Sequence, residues 1–194
     1  MHEQVTSIII TGVGGQGTVL AGRILSRAAA SLGQDVKVAD LHGMAQRGGS
    51  VITHVRFGPK VYSPVIAQGT ADYLVAFEKL EACRCLPFLK REGVLIVNDQ
   101  EIPPLPVLTG AASYPKELLE ILNTHVNNLV IVNALKKAKE AGSVKAVNMV
   151  LLGTLARHLS IPQECWEEAI RTSVKPEFQE VNLKAFVLGW EAES

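Results

Sequence analysis

Cysteine is scarce in this chain: Cys83, Cys85 and Cys165 are the only three in 194 residues. They are too few and too badly spaced for a four-thiolate iron–sulfur cluster or a closed zinc site made by this chain alone. Cys83 and Cys85 lie two apart in a segment with helical spacing, where such neighbours point in different directions, so they read as buried or half-buried thiols. A surplus of either charge is missing as well. Nineteen basic residues balance nineteen acidic ones without a run of like sign, which argues against a nucleic-acid footprint and against a polybasic membrane patch. The first apolar run, Ser7 to Thr11, is broken by glycine too soon to be a secretory h-region or a membrane span. Few cysteines and no signal peptide point to a reducing cytoplasm. There is also no carboxylate pair, H-E-x-x-H helix, Walker lysine or nucleophile elbow, so the chain is expected to supply only part of a catalytic site.

What is present begins with Ser7-Ile8-Ile9-Ile10-Thr11, followed at once by Gly12-Val13-Gly14-Gly15-Gln16-Gly17. The next segment, Thr18 to Leu32, repeats Val19, Ala21, Ile24, Leu25, Ala28, Ala29 and Leu32 at helical spacing. This is a buried strand turning tightly into a helix. Glycines at 12, 14 and 17 remove Cβ atoms that would block the turn, so backbone N–H groups and the positive helix end can face a phosphate. The same turn can also serve only to pack helix on sheet.

Further along, Asp35 to Asp40 reads as a second strand, ending in an acid that a dinucleotide fold would place on a ribose hydroxyl. The segment 41–50 has no period and reads as a loop. Ser50 to Phe57 alternates apolar and polar residues and, with Val61 to Ser63, suggests an inserted β-hairpin. Tyr73 to Phe77, Val94 to Asn98 and Leu129 to Val132 read as buried strands, and Leu80 to Arg91 as an amphipathic helix. Three prolines at 103, 104 and 106 exclude regular structure before a helix from Pro115 to Leu122. From Leu135 the chain is helical. Its run Val147 to Ala156 is apolar on nearly every side, as in a central core helix or one shared with another subunit. The expected fold is a Rossmann-like three-layer α/β sandwich with a mostly parallel sheet, a single domain over 1–194 with a helical part from about 135.

The first two strands are neighbours in this kind of fold, so their carboxyl ends should bring the turn at 12–17 and the loop at 41–50 into one crevice. Arg47 would then stand beside the amides, with Gly48 and Gly49 letting the main chain approach a ligand; a structural pairing is the alternative for Arg47. His42 and His54 are weak candidates for acid or base work, because imidazole titrates near neutral pH. Neither has a nucleophile at a recognisable spacing, and a hydrogen-bonded structural histidine is the commoner case for His54.

Together, Gly12-Val13-Gly14-Gly15-Gln16-Gly17, His42-Gly43-Met44-Ala45-Gln46-Arg47-Gly48-Gly49-Ser50-Val51 and His54-Val55-Arg56-Phe57-Gly58 resemble the gamma-type domain of 2-oxoacid:ferredoxin oxidoreductases. Within that family the likeness is to the indolepyruvate type, and it continues through Tyr62-Ser63-Pro64, Ile96-Val97-Asn98, Ala146-Val147-Asn148 and Val181-Asn182-Leu183-Lys184-Ala185-Phe186. The resemblance implies an enzyme that decarboxylates an arylpyruvate oxidatively, reduces ferredoxin and releases an arylacetyl-coenzyme A. Thiamine diphosphate, magnesium and four-iron four-sulfur clusters would belong to a large alpha subunit, in a hetero-oligomer with two copies of each chain. This chain, inactive alone, would complete the assembly and contribute to coenzyme A binding through Gly12, Gly14, Gly15, Gln16, Gly17, Gln46, Arg47, Gly48, Gly49 and Ser50, and would hold no metal. It also implies that Asp40 is structural or a loop anchor. The alternatives are a subunit for another 2-oxoacid (pyruvate, 2-oxoglutarate or ketoisovalerate) and a free-standing NAD- or FAD-binding protein using Asp40.

Overall fold

The computed structural model describes residues 5–43 and 48–192. Strand β1 (Thr6–Val13) passes through the glycine turn into helix α1 (Thr18–Ala30), and β2 (Asp35–His42) leads to β3 (Ser50–Gly58). The chain continues through β4 (Ala71–Ala76), α2 (Lys79–Cys85), β5 (Leu89–Asn98), α3 (Leu105–Leu108), α4 (Leu118–His125) and β6 (Asn128–Val132). Four helices follow: α5 (Ala134–Ala141), α6 (Val147–Ala156), α7 (Gln163–Arg171) and α8 (Pro176–Trp190). The six strands form one sheet in the order β2-β3-β1-β4-β5-β6. Strands β1, β4, β5 and β6 run parallel, and β3 is antiparallel to both of its neighbours. No helix among the described residues is long and apolar enough to cross a membrane.

Alternation along the strands divides the interior into two layers. Ile8, Ile10, Val55, Phe57, Val75 and Ile96 face α1 and the four C-terminal helices, whereas Ile9, Leu74, Leu95 and Val97 face α2 and α4. The sheet is therefore covered on both sides, and its central strands read as continuous apolar runs. Every residue of α6 is buried. Its cover comes from this chain itself, since α6 packs against α8, α5, α1 and β5. The core-helix reading of Val147 to Ala156 therefore stands without a second subunit.

Three local expectations are corrected. The hairpin is made by β2 and β3, not by β3 and Val61 to Ser63; Pro59 and Pro64 withhold ladder donors, and Val61 N–H is held by Asp35 Oδ2 at 2.9 Å. The helix expected to reach Arg91 ends at Cys85, where Pro87 turns the chain through a short 3-10 segment into β5. The helix expected over Pro115 to Leu122 starts at Leu118, and the proline-rich stretch itself forms the single turn α3, with Pro106 in its first turn.

Candidate functional site

The first two strands are not neighbours: β3 lies between them, antiparallel to each. The crevice forms all the same. Two antiparallel steps restore direction, so β1 and β2 end on the same side of the sheet where β3 begins, and Val51 pairs with Gly12 on one side and His42 on the other. Gly14 N–H donates to Gly49 C=O at 2.8 Å, tying the glycine turn to the residues just before β3. Between them opens a cleft of about 400 Å³ lined by Gly14, Gly15, Gly17, Thr18, Val19, His42 and Val51.

The turn is held from inside by Gln16. Its Oε1 accepts from Val13 N–H at 2.7 Å and its Nε2 donates to Phe77 C=O at 3.1 Å, filling the space that a Cβ on Gly12 would need. Asn98 Nδ2 donates to the same carbonyl and to Gln100 Oε1, while its Oδ1 accepts from Ala134 N–H. Side-chain amides thus lock the ends of β1, β4, β5 and β6 together. Gly15 and Gly17 have φ of +102° and +86°, backbone that L side chains rarely adopt. The sequence assigns these glycines correctly to the turn, but Gln16 turns inward and serves the fold.

An account of the amides locates the anion-binding capacity. Val13, Gly14 and Gln16 N–H groups are already bonded within the protein. The N–H groups of Thr18, Val19 and Leu20, at the first turn of α1, have no preceding helical carbonyl to bond. Gly17, the residue before that turn, provides no side-chain cap. The helix macrodipole adds a partial positive charge there. The uncommitted amide donors therefore lie at the start of α1, beside the cleft, rather than on the crown of the glycine turn.

The remaining site residues fall into different environments. His42 lines the cleft, exposed, with Nδ1 3.3 Å from Gly43 C=O. His54 faces the opposite side of the sheet and is 1% exposed; Nδ1 accepts from Ile66 N–H at 3.0 Å and the ring meets Phe88 edge-on. Burial pushes its pKa down, so it is a neutral structural residue remote from the cleft. Ser50 donates to Glu81 Oε2 at 2.5 Å, and Glu81 also accepts from Arg84. Gly48 has a φ of +76°, and Gln46 and Arg47 lie outside the described residues. Asp40 accepts from Thr53 Oγ1 at 2.6 Å across the β2–β3 pair, which makes it a cross-strand anchor.

Several contributors are not among the site residues expected from the sequence. Glu78, buried at the end of β4, accepts from Glu81 N–H at 2.9 Å, from Ile102 N–H at 3.2 Å and from the Tyr114 hydroxyl, whose pKa rises through burial and this carboxylate. Asn148 reaches Gly17 from α6. Its signal was visible as an amide in an otherwise apolar helix. A second recess of about 360 Å³ adjoins the turn on its other flank, lined by Gly15, Gln16, Gln100, Ile102, Leu135, Val144, Lys145 and Val147. No cluster of three or more His, Cys, Asp or Glu suited to a metal occurs among the described residues. Cys83 and Cys85 lie on α2 and Cys165 on α7, and Cys85 donates to Thr11 Oγ1 at 3.4 Å, so the donor set does not fit a cluster held here.

Comparison with known proteins agrees with this architecture. The indolepyruvate oxidoreductase subunit IorB of Pyrococcus horikoshii is 43% identical over 191 residues, covering 96% of this chain and 95% of that protein. The subunit of the same name from Thermococcus kodakarensis is 41% identical over equal shares. The crystal structure of the gamma subunit of a keto/oxoacid ferredoxin oxidoreductase from Geobacter sulfurreducens superposes with a TM-score of 0.72 at 26% identity over 96% of both chains. Residues 7–192 match the family described as pyruvate ferredoxin/flavodoxin oxidoreductase, and this chain belongs to that family.

Proposed function

We propose that this chain is the small subunit of an indolepyruvate-type 2-oxoacid:ferredoxin oxidoreductase and that its cleft at the start of α1 helps hold coenzyme A. The observation that carries this reading is the 43% identity to an indolepyruvate oxidoreductase subunit over nearly the full length of both proteins. The complex decarboxylates an arylpyruvate, passes two electrons to ferredoxin and transfers the acyl group to the coenzyme A thiol. Thiamine diphosphate, magnesium and the iron–sulfur clusters sit on the large partner subunit, with two copies of each chain. Three dispersed cysteines in this chain favour that division. The first-turn amides of α1 take a phosphate of coenzyme A, with His42 and Val51 on the other wall of the cleft.

The test is reconstitution. Co-expressed with its large subunit, the chain gives viologen or ferredoxin reduction that requires both an arylpyruvate and coenzyme A, faster with indolepyruvate than with pyruvate or 2-oxoglutarate. The isolated chain is inert. A large subunit fully active by itself, or a complex indifferent to the aryl group, overturns the proposal.

A further inference from the structure

The two edges of the sheet are built differently. Strand β6 closes one edge with five residues, whereas β2 closes the other with eight, Asp35 to His42, paired to β3 in one unbroken register and free of proline. The backbone N–H and C=O groups of β2 that point away from β3 have no strand to bond among the described residues. Lys37, Val38, Asp40, Leu41 and His42 are exposed, and α1 is the helix that packs against this strand. Val38, opposite Val55 on the α1 side, is 41% exposed; Leu41, opposite Ile52 on the other face, is 48% exposed. A long, regular edge with apolar residues on both faces is a template for another strand.

We propose that the large partner subunit adds an extended segment to the outer edge of β2 and so continues the sheet. The inference rests on the functional reading above and deepens it by naming the surface that receives the partner. A second copy of this chain is the other candidate for the edge, and charge disfavours it. The exposed charges in the middle of the strand are Asp40 and Lys37, the latter bridged to Asp35 at 2.8 Å. A two-fold antiparallel pairing centred on Lys37 or on Asp40 sets that residue against its own copy. One centred on Val38 or Ala39 leaves Lys37 or Asp40 diagonal to its copy, where like charges still repel. Registers centred further out pair only one end of the strand. A partner segment with an acid opposite Lys37, a base opposite Asp40 and apolar residues beside Val38 and Leu41 meets no such penalty. The edge also runs into the site, because β2 ends at His42, which lines the cleft with Gly14 and Val51. A strand laid along β2 brings the partner to that wall, and docking there couples assembly to the cleft.

Hydrogen–deuterium exchange of the isolated chain and of the co-expressed complex reads the backbone directly. Amides of β2 slow about tenfold or more on assembly, with no comparable change at β6. Val38→Lys combined with Leu41→Lys, at side chains already partly exposed, weakens association with the large subunit about tenfold or more and leaves the melting temperature of the isolated chain nearly unchanged. Ile131→Lys, at an exposed residue of the other edge, does not weaken association. Unchanged β2 exchange, or equal slowing at both edges, in a complex that turns over arylpyruvate overturns the inference and leaves the functional reading intact. An isolated chain that is a dimer by light scattering and becomes a monomer in the double variant overturns it in favour of a second copy. A wild-type chain that binds no large subunit overturns the functional reading and the inference together. Where the double variant fails to fold, the exchange result decides.

Discussion

Where α6 crosses α8, a Cβ on Gly153 would sit 2.0 Å from Phe186 C=O, and one on Gly189 would sit 2.0 Å from Val150 C=O. At Gly15, in the β1–α1 turn, a Cβ would meet nothing within 4 Å, but φ is +102°. In the first region backbones touch and there is no space; in the second there is space and the backbone is unusual. A side chain added to the helix pair forces two elements apart, and its cost falls on the fold. Added to the turn it twists a single loop, and its cost falls on what the loop presents to the cleft. Gly17 belongs to both kinds, since its φ is +86° and Asn148 stands where its Cβ would be.

The contrast can be broken by substitution. The largest effect is expected from Leu151→Ala in α6, a fully buried side chain; urea unfolding should show a loss of about 2–5 kcal/mol. Next, Gly153→Ala should cost about 1–3 kcal/mol by overpacking and, if the contrast holds, should leave the Michaelis constant for coenzyme A of any assembled complex unchanged. Gly15→Ala reverses the pattern: about 1 kcal/mol or somewhat more of backbone strain, together with weakened coenzyme A. Equal stability losses at positions 153 and 15 would erase the distinction.

Acid probes the two histidines shifted by burial in the same way. Burial lowers the folded pKa of His54, so below the ordinary histidine value of about 6.5 the unfolded chain takes a proton that the folded chain resists. Stability from this group is complete above that pH and is lost as pH falls toward the lowered folded value. His158, also lowered by burial, acts in the same direction. Chemical denaturation between pH 7 and 5 should show the decline, and His54→Gln should flatten part of it; an unchanged slope would mean that His54 titrates normally. The smallest effect is expected from Asp40→Ala, which removes one part-buried cross-strand hydrogen bond worth about 0.5–1.5 kcal/mol. Calorimetry with NAD or FAD should give no binding to lose, whereas micromolar binding abolished by this change would restore the dinucleotide alternative.

Much of the fold was legible because local pattern and long-range packing agreed. The run Ile8-Ile9-Ile10 had to be buried on both faces, and a helix period after Gly17 could lead only to a strand-turn-helix unit. Reading failed where one residue outweighed a period. Pro87 cut the helix expected to reach Arg91, and the hairpin partner of β3 was misassigned because β2 pairs with it across a longer connection than Gly58 to Lys60. At the site, the glycines were visible as glycines. That Gln16 turns inward was not, because its partners Phe77 and Gln100 lie 61 and 84 positions away.

Composition and spacing by themselves determined that this chain is an α/β protein with a tight glycine turn at the end of its first strand, that it lacks the thiols for a cluster, and that one C-terminal helix must be covered all round. Those properties depend on residue type and near neighbours, which the order of residues contains. Only the tertiary structure decided that β3 runs between β1 and β2, that His54 lies on the far face from His42, and that Asn148 meets the start of α1. Such placements follow from strand order and helix crossing, where residues more than a hundred positions apart compete for the same space.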